Sequence, residues 1–246
     1  MKHIIRLMGI ACLLVLMACA PAEEIMEQSP ESLYRKGYDA FQSKDYEKAA
    51  TYFDEVEKQH PYSIWAERSQ IMAAYAFYQQ NEYDDAVLVL DRFIQLHPGN
   101  RNTPYAYYLK GLCYYEQISD AAREQSMTEK AQQTFNELIA RYPNSIYVAD
   151  ARAKQGLILN HLAAQNMVVG RYYLKQGDLI PALNRFRTVV VDYPNTNQVP
   201  EAYYRLGTAY VLLGMDRAAN DMVNILKKRW PDNEWTKRSQ KIMFAK

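Results

Sequence analysis

The sequence predicts an all-α fold, a superhelical solenoid of five helix pairs closed by a C-terminal capping helix. A motif of an aromatic residue or histidine, then proline, any residue, and Ser, Thr or Asn occurs five times, with its proline at positions 61, 98, 143, 194 and 231. Proline cannot continue a helix, and Ser, Thr and Asn are preferred N-caps, so each motif predicts the end of one helix and the start of another. The prolines are 37, 45, 51 and 37 residues apart, a period typical of helical repeat arrays.

Residues 1–18 are expected to be a signal peptide. A basic start is followed by twelve apolar residues, Leu7 to Ala18, too few to cross a bilayer core of ~30 Å as a helix. The segment ends at Leu16-Met17-Ala18-Cys19, which resembles the lipobox of bacterial lipoproteins. The resemblance implies cleavage before Cys19, an S-diacylglycerol on its sulfur and an N-acyl chain on its amino group. An ordinary secreted protein is the alternative.

The segment 19–29 is expected to be a lipidated tether. Two or more acyl chains anchor a protein stably to a membrane. By similarity to enterobacterial lipoproteins, Ala20 favours the outer membrane, because Asp at this place favours the inner one. Removal of residues 1–18 leaves 27 basic and 28 acidic residues, a balance that gives no reason to expect nucleic acid as a partner. Cys113 is then the only cysteine besides Cys19, so no intramolecular disulfide is expected.

The residues before each proline follow one pattern. In the first unit Gly37 precedes Ala49 by twelve residues and Phe53 by sixteen; Ala74, Gly170 and Gly207 begin the same pattern in units two, four and five. Offsets of three and four place the small and apolar residues on one helical face. The pattern resembles the tetratricopeptide repeat (TPR), and the stretch from Lys44 to Ala50 is close to its signature. The resemblance implies a right-handed superhelix.

The repeat units, as predicted, divide residues 30–246 into the following segments. Ser29-Pro30 predicts an N-cap followed by proline in the first helical turn. Residues 30–103 hold repeats one and two, and residues 104–145 hold repeat three with a loop insertion between Ser119 and Thr128. Residues 146–199 hold a long helix and repeat four. Residues 200–246 hold repeat five and a capping helix from about Glu234.

The sequence contains no pattern of residues that indicates catalysis. His60 and His97 occupy the slot held by aromatic residues in the other motifs, so packing at a helix end is favoured over metal binding. Phosphate loops and nucleophile motifs are absent from the sequence. Glu31-Ser32 is similar to the catalytic pair of lytic transglycosylases, but the first helical turn already favours an acidic residue there. No enzyme activity, cofactor or metal is expected.

A binding surface remains. Thirteen of the 21 tyrosines lie between residues 34 and 115. In TPR proteins the first helix of each unit lines the concave face, and that register places nine residues in a groove: Tyr34, Tyr38, Phe41, Ile71, Tyr75, Tyr78, Tyr108, Leu112 and Tyr115. Tyrosine combines apolar area with a hydrogen bond, which suits an extended or helical peptide. About half of these tyrosines could equally serve the core.

The chain as a whole resembles the BamD family of outer-membrane assembly factors. The motifs Arg141-Tyr142-Pro143-Asn144-Ser145, Arg171-Tyr172-Tyr173 and Asp192-Tyr193-Pro194 carry the resemblance, together with the long helix after repeat three. It implies a lipoprotein on the periplasmic face of the outer membrane, in complex with a BamA-type barrel protein and further lipoproteins. It also implies that the N-terminal repeats bind C-terminal segments of unfolded barrel proteins, and that Arg185, in Asn184-Arg185, contacts BamA. A periplasmic TPR scaffold of peptidoglycan or division machinery is the alternative.

Overall fold

The computed structural model describes the backbone of residues 28–243 and the side chains of residues 28–241, and this part is entirely helical. Eleven helices follow one another through it: α1 Pro30–Gln42, α2 Tyr46–Gln59, α3 Ile64–Gln79, α4 Tyr83–Leu96, α5 Thr103–Glu116, α6 Ser126–Arg141, α7 Val148–Gln176, α8 Leu179–Asp192, α9 Val199–Leu212, α10 Asp216–Arg229 and α11 Glu234–Met243. Each odd-numbered helix packs on the even-numbered helix after it and on the one before it. The predicted all-α solenoid of five helix pairs with a final helix is confirmed.

The five proline motifs form the same turn. The first residue of each motif is the C-cap of an even-numbered helix, with φ between −140° and −125°. Its N–H donates to the carbonyl four residues earlier, and its carbonyl accepts from the N–H of the fourth motif residue. The residue four places earlier is fully buried in all five cases: Val56, Phe93, Leu138, Val189 and Leu226. The first residue of each turn is therefore hydrogen-bonded to the backbone of a core residue in the preceding helix.

The N-caps predicted at the fourth motif position are correct only in part. Ser63 accepts from the Ala66 N–H and caps α3, and Ser29 caps α1 in the same way. In the second, third and fourth motifs the prediction is wrong, because the following helix begins three residues after the polar residue. There the polar side chain stabilises the turn itself: Asn100 accepts from the Asn102 N–H, Ser145 from the Tyr147 N–H, and Thr196 donates to the Tyr193 carbonyl.

Small residues on odd-numbered helices match the size of the residue that faces them. Gly37 and Gly170 lie against the fully buried rings of Phe53 and Phe186, where an added Cβ would be 2.7 Å and 2.5 Å from a ring carbon. Gly111 faces Phe135 in the same manner. Repeat two carries the smaller Leu90 at this place and accommodates Ala74, both fully buried. A phenylalanine here thus requires glycine opposite it.

The long helix α7 belongs to two repeats. Gly156 follows its motif proline by 13 residues, the spacing of Gly111 and Gly207 from theirs, and Gly170 follows Gly156 by 14, about four turns. The first half of α7 packs through Ala151 and Ile158 on the core of repeat three, and the second half through Ala163 and Met167 on that of repeat four. A Cβ at Gly156 would meet no atom within 4 Å. One continuous helix therefore joins the two halves of the array.

The connection between α5 and α6 spans residues 117–125 and is ordered by one buried side chain. The Gln125 amide donates to the carbonyls of Asp120 and Arg123, and its oxygen accepts from the Thr128 hydroxyl. Because α6 begins at Ser126, the connection ends earlier than the expected insertion, which extends to Thr128.

Candidate peptide-binding groove

The first part of the groove lies where repeat one meets repeat two. The ring of Tyr34 lies 4.9 Å from that of Trp65 on α3 and 5.5 Å from that of Phe53. Burial raises the pKa of Tyr34, although Arg68, whose guanidinium lies over Trp65, lowers it in part. Tyr38 stays 44% exposed beside this pair. Both tyrosines line a cleft of about 180 Å³ together with Trp65, Glu31 and Arg35.

Three aromatic rings continue the groove across α1 and α3. Phe41 stacks on Tyr75 at 5.4 Å, and Tyr75 stacks on Tyr78 at 6.2 Å with only 15° between the ring planes. The Tyr78 hydroxyl donates to Glu116 at 3.5 Å. Desolvation by burial, followed by the negative charge of Glu116, raises the pKa of Tyr78 to about 12. Tyr78 is therefore a neutral donor at physiological pH.

The third part of the groove is a polar and aromatic network on α5 and α7. The Tyr108 hydroxyl donates to Asp150 at 2.6 Å, and its ring stacks on Tyr147 at 5.0 Å. Burial first and this hydrogen bond second raise the pKa of Tyr108. Asp150 also pairs with Lys154 at 3.0 Å, and the Lys154 ammonium lies over the Tyr115 ring. The hydrogen bond from Tyr108, followed by that from Lys154, lowers the pKa of Asp150.

One predicted groove residue belongs to the core. Ile71 is only 8% exposed and lies in a cluster with Leu90 and Phe93, so its assignment to the groove surface is wrong. The cause is geometric, since α3 is covered on this side by α4 and α5. Leu112 is half-buried and packs on the clusters of repeats two and three.

A cleft of about 390 Å³ follows Tyr115 at the junction of the two halves of the array. Leu157, which is 60% exposed, and Ile158 form its apolar side, and Glu116 and His161 add polar groups. Nε2 of His161 is buried without a hydrogen-bond partner within the described residues. Aromatic residues of the candidate groove thus lie on α1, α3 and α5, and this cleft continues from Tyr115 to the middle of α7.

The sequence prediction misses three aromatic residues that pack on tyrosines of the odd-numbered helices. They follow the first residue of a proline motif by five places: Trp65, Tyr147 and Trp235. Each packs on a tyrosine three places before the small residue of the preceding odd-numbered helix: Tyr34, Tyr108 and Tyr204. Extending the motif by two residues would reveal them. Tyr204 also shows that an aromatic pair exists in repeat five.

The remaining predicted residues lie apart from the groove. Arg185 is exposed on α8, and its guanidinium donates to the side-chain oxygen of the buried Asn166 at 3.3 Å. Cys19 lies outside the described residues. His97 caps α4 and its ring lies 5.1 Å from Phe93; His60 caps α2 and its Nε2 lies 2.7 Å from the Gln28 carbonyl.

Two further properties limit the chemistry of the described residues. Across residues 28–243, His, Cys, Asp and Glu form no group of three or more that could hold a metal ion. In the same stretch, every helix is too short or too polar to span a membrane.

Stacked helix pairs of this kind define a TPR-type solenoid. A TPR repeats protein from Bacteroides fragilis has a similar fold, with a TM-score of 0.50 at 16% identity over 88% of this chain and 98% of that one. The family model described as YfiO, outer membrane lipoprotein, matches residues 26–242, and the chain belongs to this family.

Curated relatives agree with this assignment. A protein of Caulobacter vibrioides is 41% identical over 86% of this chain and 70% of its own length. Those of Rickettsia prowazekii and Neisseria meningitidis serogroup B are 37% and 34% identical, over 83% and 92% of this chain and 81% and 91% of their own lengths. All three are named outer membrane protein assembly factor BamD. The resemblance drawn from the sequence is confirmed.

Proposed function

We propose that this protein is a non-enzymatic scaffold of outer-membrane protein assembly. The observation that carries the proposal is the aromatic surface from Tyr34 to Tyr115, present in a chain whose relatives are named assembly factors. Such a surface offers large rigid rings with polar hydroxyls, which bind peptides at low cost in side-chain entropy. The alternative role in peptidoglycan or division machinery is not favoured by the names of these relatives.

The proposed substrates are C-terminal segments of unfolded β-barrel proteins. An unfolded barrel strand alternates apolar and polar side chains. Stacked rings such as Phe41, Tyr75 and Tyr78 suit the apolar side chains, while Glu116 and the Asp150–Lys154 pair suit polar groups beside them. The groove residues in this proposal are Tyr34, Tyr38, Phe41, Tyr75, Tyr78, Tyr108 and Tyr115.

The proposed location is the periplasmic face of the outer membrane, with the protein held there by lipid on Cys19. The lipobox-like sequence that ends at Cys19 supports this, as does the family description of an outer membrane lipoprotein. Replacing residues 1–19 with an ordinary secretory signal peptide, which leaves no lipid attachment site, should release the mature protein from the membrane fraction. Retention of this variant in outer-membrane vesicles would contradict the lipid anchor.

The proposed partners are a BamA-type barrel protein and other lipoproteins of the assembly complex. Arg185 is the proposed contact with BamA, because its guanidinium is exposed and makes one hydrogen bond, to Asn166. An exposed charge at an interface controls register and association rate more than affinity. Arg185→Glu should therefore weaken co-purification with BamA, whereas Arg187→Glu on the same helix is the matched control.

Depletion of the protein tests the assembly function directly. Folded outer-membrane barrels, measured by their resistance to unfolding in detergent before electrophoresis, should fall while their unfolded precursors rise. Unchanged barrel levels, together with no co-purification with BamA, would reject the proposal.

The groove has its own test. The double substitution Tyr75→Ala and Tyr78→Ala should weaken binding of a barrel C-terminal peptide about tenfold or more, because each ring supplies about 1 kcal/mol or more. The matched control is Tyr62→Ala, since Tyr62 is fully exposed in a turn outside the groove. Equal affinities of all three proteins would mean that the peptide binds elsewhere.

A further inference from the structure

Two arginines enclose one carboxylate in the C-terminal half of the array. Nη1 of Arg171 on α7 lies 3.1 Å from one oxygen of Glu201, and Nε of Arg205 lies 3.1 Å from the other. The Glu201 side chain is only 13% exposed, whereas those of Arg171 and Arg205 are 37% and 27% exposed. The carboxylate is thus covered by the two cations. Both guanidiniums have further N–H groups besides these contacts.

An aromatic pair adjoins this ion-pair network. The rings of Tyr204 and Trp235 lie 5.1 Å apart, and the Arg205 guanidinium lies within 5.5 Å of both. A third guanidinium, that of Arg238, lies 4.6 Å from the Trp235 ring centre and pairs with Glu234. Two guanidiniums, those of Arg205 and Arg238, therefore lie against one indole ring, and Arg171 joins the cluster through Glu201. The cluster keeps an excess of positive charge.

The position of the cluster matches that of the tyrosine groove in other repeats. Arg171 directly follows Gly170, as Tyr38 follows Gly37, and Tyr204 precedes Gly207 by three places, as Tyr34 precedes Gly37. The surrounding charge differs, however. Residues 148–243 hold 14 basic and 8 acidic residues, whereas residues 28–147 hold 12 basic and 17 acidic. The C-terminal half of the array is therefore net basic and the N-terminal half net acidic.

We propose that Arg171 and Arg205, with Trp235 beside Arg205, form a binding site for a peptide carboxylate. A guanidinium presents a planar set of donors that binds a carboxylate in a bidentate manner, and an adjacent ring favours an aromatic neighbour on the ligand. Glu201 contacts one guanidinium nitrogen of each arginine and leaves their remaining N–H groups for a ligand. The carboxylate comes from a chain end or from an Asp or Glu side chain. The inference rests on the proposed peptide-binding function and assigns a second, charge-selective subsite to it.

Peptide binding to the mature chain, prepared without lipid by starting after Cys19, tests this site. Three fluorescein-labelled hexapeptides share one aromatic sequence: one ends in a free carboxylate, one in an amide, and one in an amide with an internal Asp. Fluorescence anisotropy should show that a carboxylate peptide binds about tenfold more tightly, or better, than the plain amide peptide. The free-carboxylate and Asp peptides distinguish a chain end from a side chain as the source. Added salt should reduce the difference.

Substitutions distinguish a ligand-binding role of Arg171 and Arg205 from a purely structural one. Arg171→Ala and Arg205→Lys should each remove most of the preference for a carboxylate, Arg205→Lys because it keeps the charge but loses the planar donors. Glu201→Gln should retain or increase the preference for a carboxylate, because it removes the negative charge that the two arginines now neutralise. If the ion pair were purely structural, the same substitution would abolish the preference. Arg217→Ala, an exposed arginine on α10, is the matched control and should bind as the wild type does.

Several outcomes overturn the inference. One is equal binding of the carboxylate and amide peptides to the wild type, and another is an unchanged preference in Arg171→Ala and Arg205→Lys with folding confirmed by circular dichroism. These results differ from failure of the groove. A peptide whose binding requires Tyr75 and Tyr78 but ignores both arginines would reject this subsite alone, whereas unchanged barrel levels on depletion would reject the assembly function alone.

Discussion

The ring of Phe135 occupies the space that a side chain at Gly111 would need. Phe135 is fully buried on α6, and glycine on α5 lets the two helices approach at this point. The same relationship holds between Gly170 and Phe186. In these repeats the packing of the helix pair therefore requires glycine opposite phenylalanine.

Gly111→Ala should lower the free energy of unfolding by about 1–3 kcal/mol. The added methyl group overlaps the Phe135 ring, and overpacking of this kind exceeds the gain in helix propensity. Urea denaturation followed by circular dichroism measures the change. An unaltered midpoint would show that α5 and α6 separate without cost.

Gly207→Ala should instead raise the free energy of unfolding by about 0.5–1 kcal/mol. The nearest side-chain atom to its new Cβ is Cβ of Met222 at 3.6 Å, because repeat five carries Val223 where the other repeats carry Phe or Leu. A small apolar void of about 10 Å³ lies there between α9 and α10. Helix propensity then dominates, and the same urea experiment provides the comparison with Gly111→Ala. Destabilisation here would reject the size-matching rule.

Tyr108→Phe should lower the free energy of unfolding by about 1 kcal/mol at neutral pH, because it removes the hydrogen bond to Asp150. The folded state depresses the pKa of Asp150, so its contribution is present above the usual carboxylate pKa of about 4 and is lost as the pH falls below it. The variant should therefore lose less stability than the wild type between pH 7 and pH 2. Parallel pH profiles of the two proteins would contradict this coupling.

Tyr78 should make the protein sensitive to alkali. Its pKa is raised to about 12 in the folded state, while an unfolded tyrosine ionises near 10. The neutral form is thus favoured by folding, and stability declines as the pH rises from about 10 towards 12. Tyr78→Phe should show a smaller decline when denaturation is repeated at pH 9, 10 and 11. If the two slopes agree, Tyr78 does not contribute.

Cys113 should resist modification in the folded protein. Burial raises the pKa of its thiol to about 12, so little reactive thiolate forms at pH 8. In the mature chain without Cys19 it is the single thiol. Reaction with a disulfide reagent should be slow in buffer and rapid in 8 M urea, a concentration chosen to unfold the chain. Complete labelling of folded protein within minutes would require α5 to open.

The helix ends before each proline motif follow from local sequence, because proline stops a helix within a few residues. The starts of three of the following helices do not, since they lie three residues beyond the predicted N-cap. The groove is harder to predict. Trp65, Tyr147 and Trp235 reach tyrosines about 31 to 39 residues earlier in the chain, so their contacts appear only when repeats stack. Ile71 shows the same limit in reverse, since the register places it on the surface and packing by α4 and α5 covers it. Arg171 and Arg205 likewise lie in one cluster because both pair with Glu201, a contact that the sequence alone does not reveal.

The 14 additional residues of α7 set a minimum length for any ligand that binds both halves of the array. At 1.5 Å per residue they offset the tyrosine-rich repeats from repeats four and five by about 21 Å along the axis of α7. An extended peptide advances about 3.3 Å per residue, so it needs about six additional residues to cross this distance. Short peptides can engage one half or the other, and only longer unfolded segments can engage both. If both halves bind one peptide, as proposed above, the length of α7 selects for long segments over short fragments.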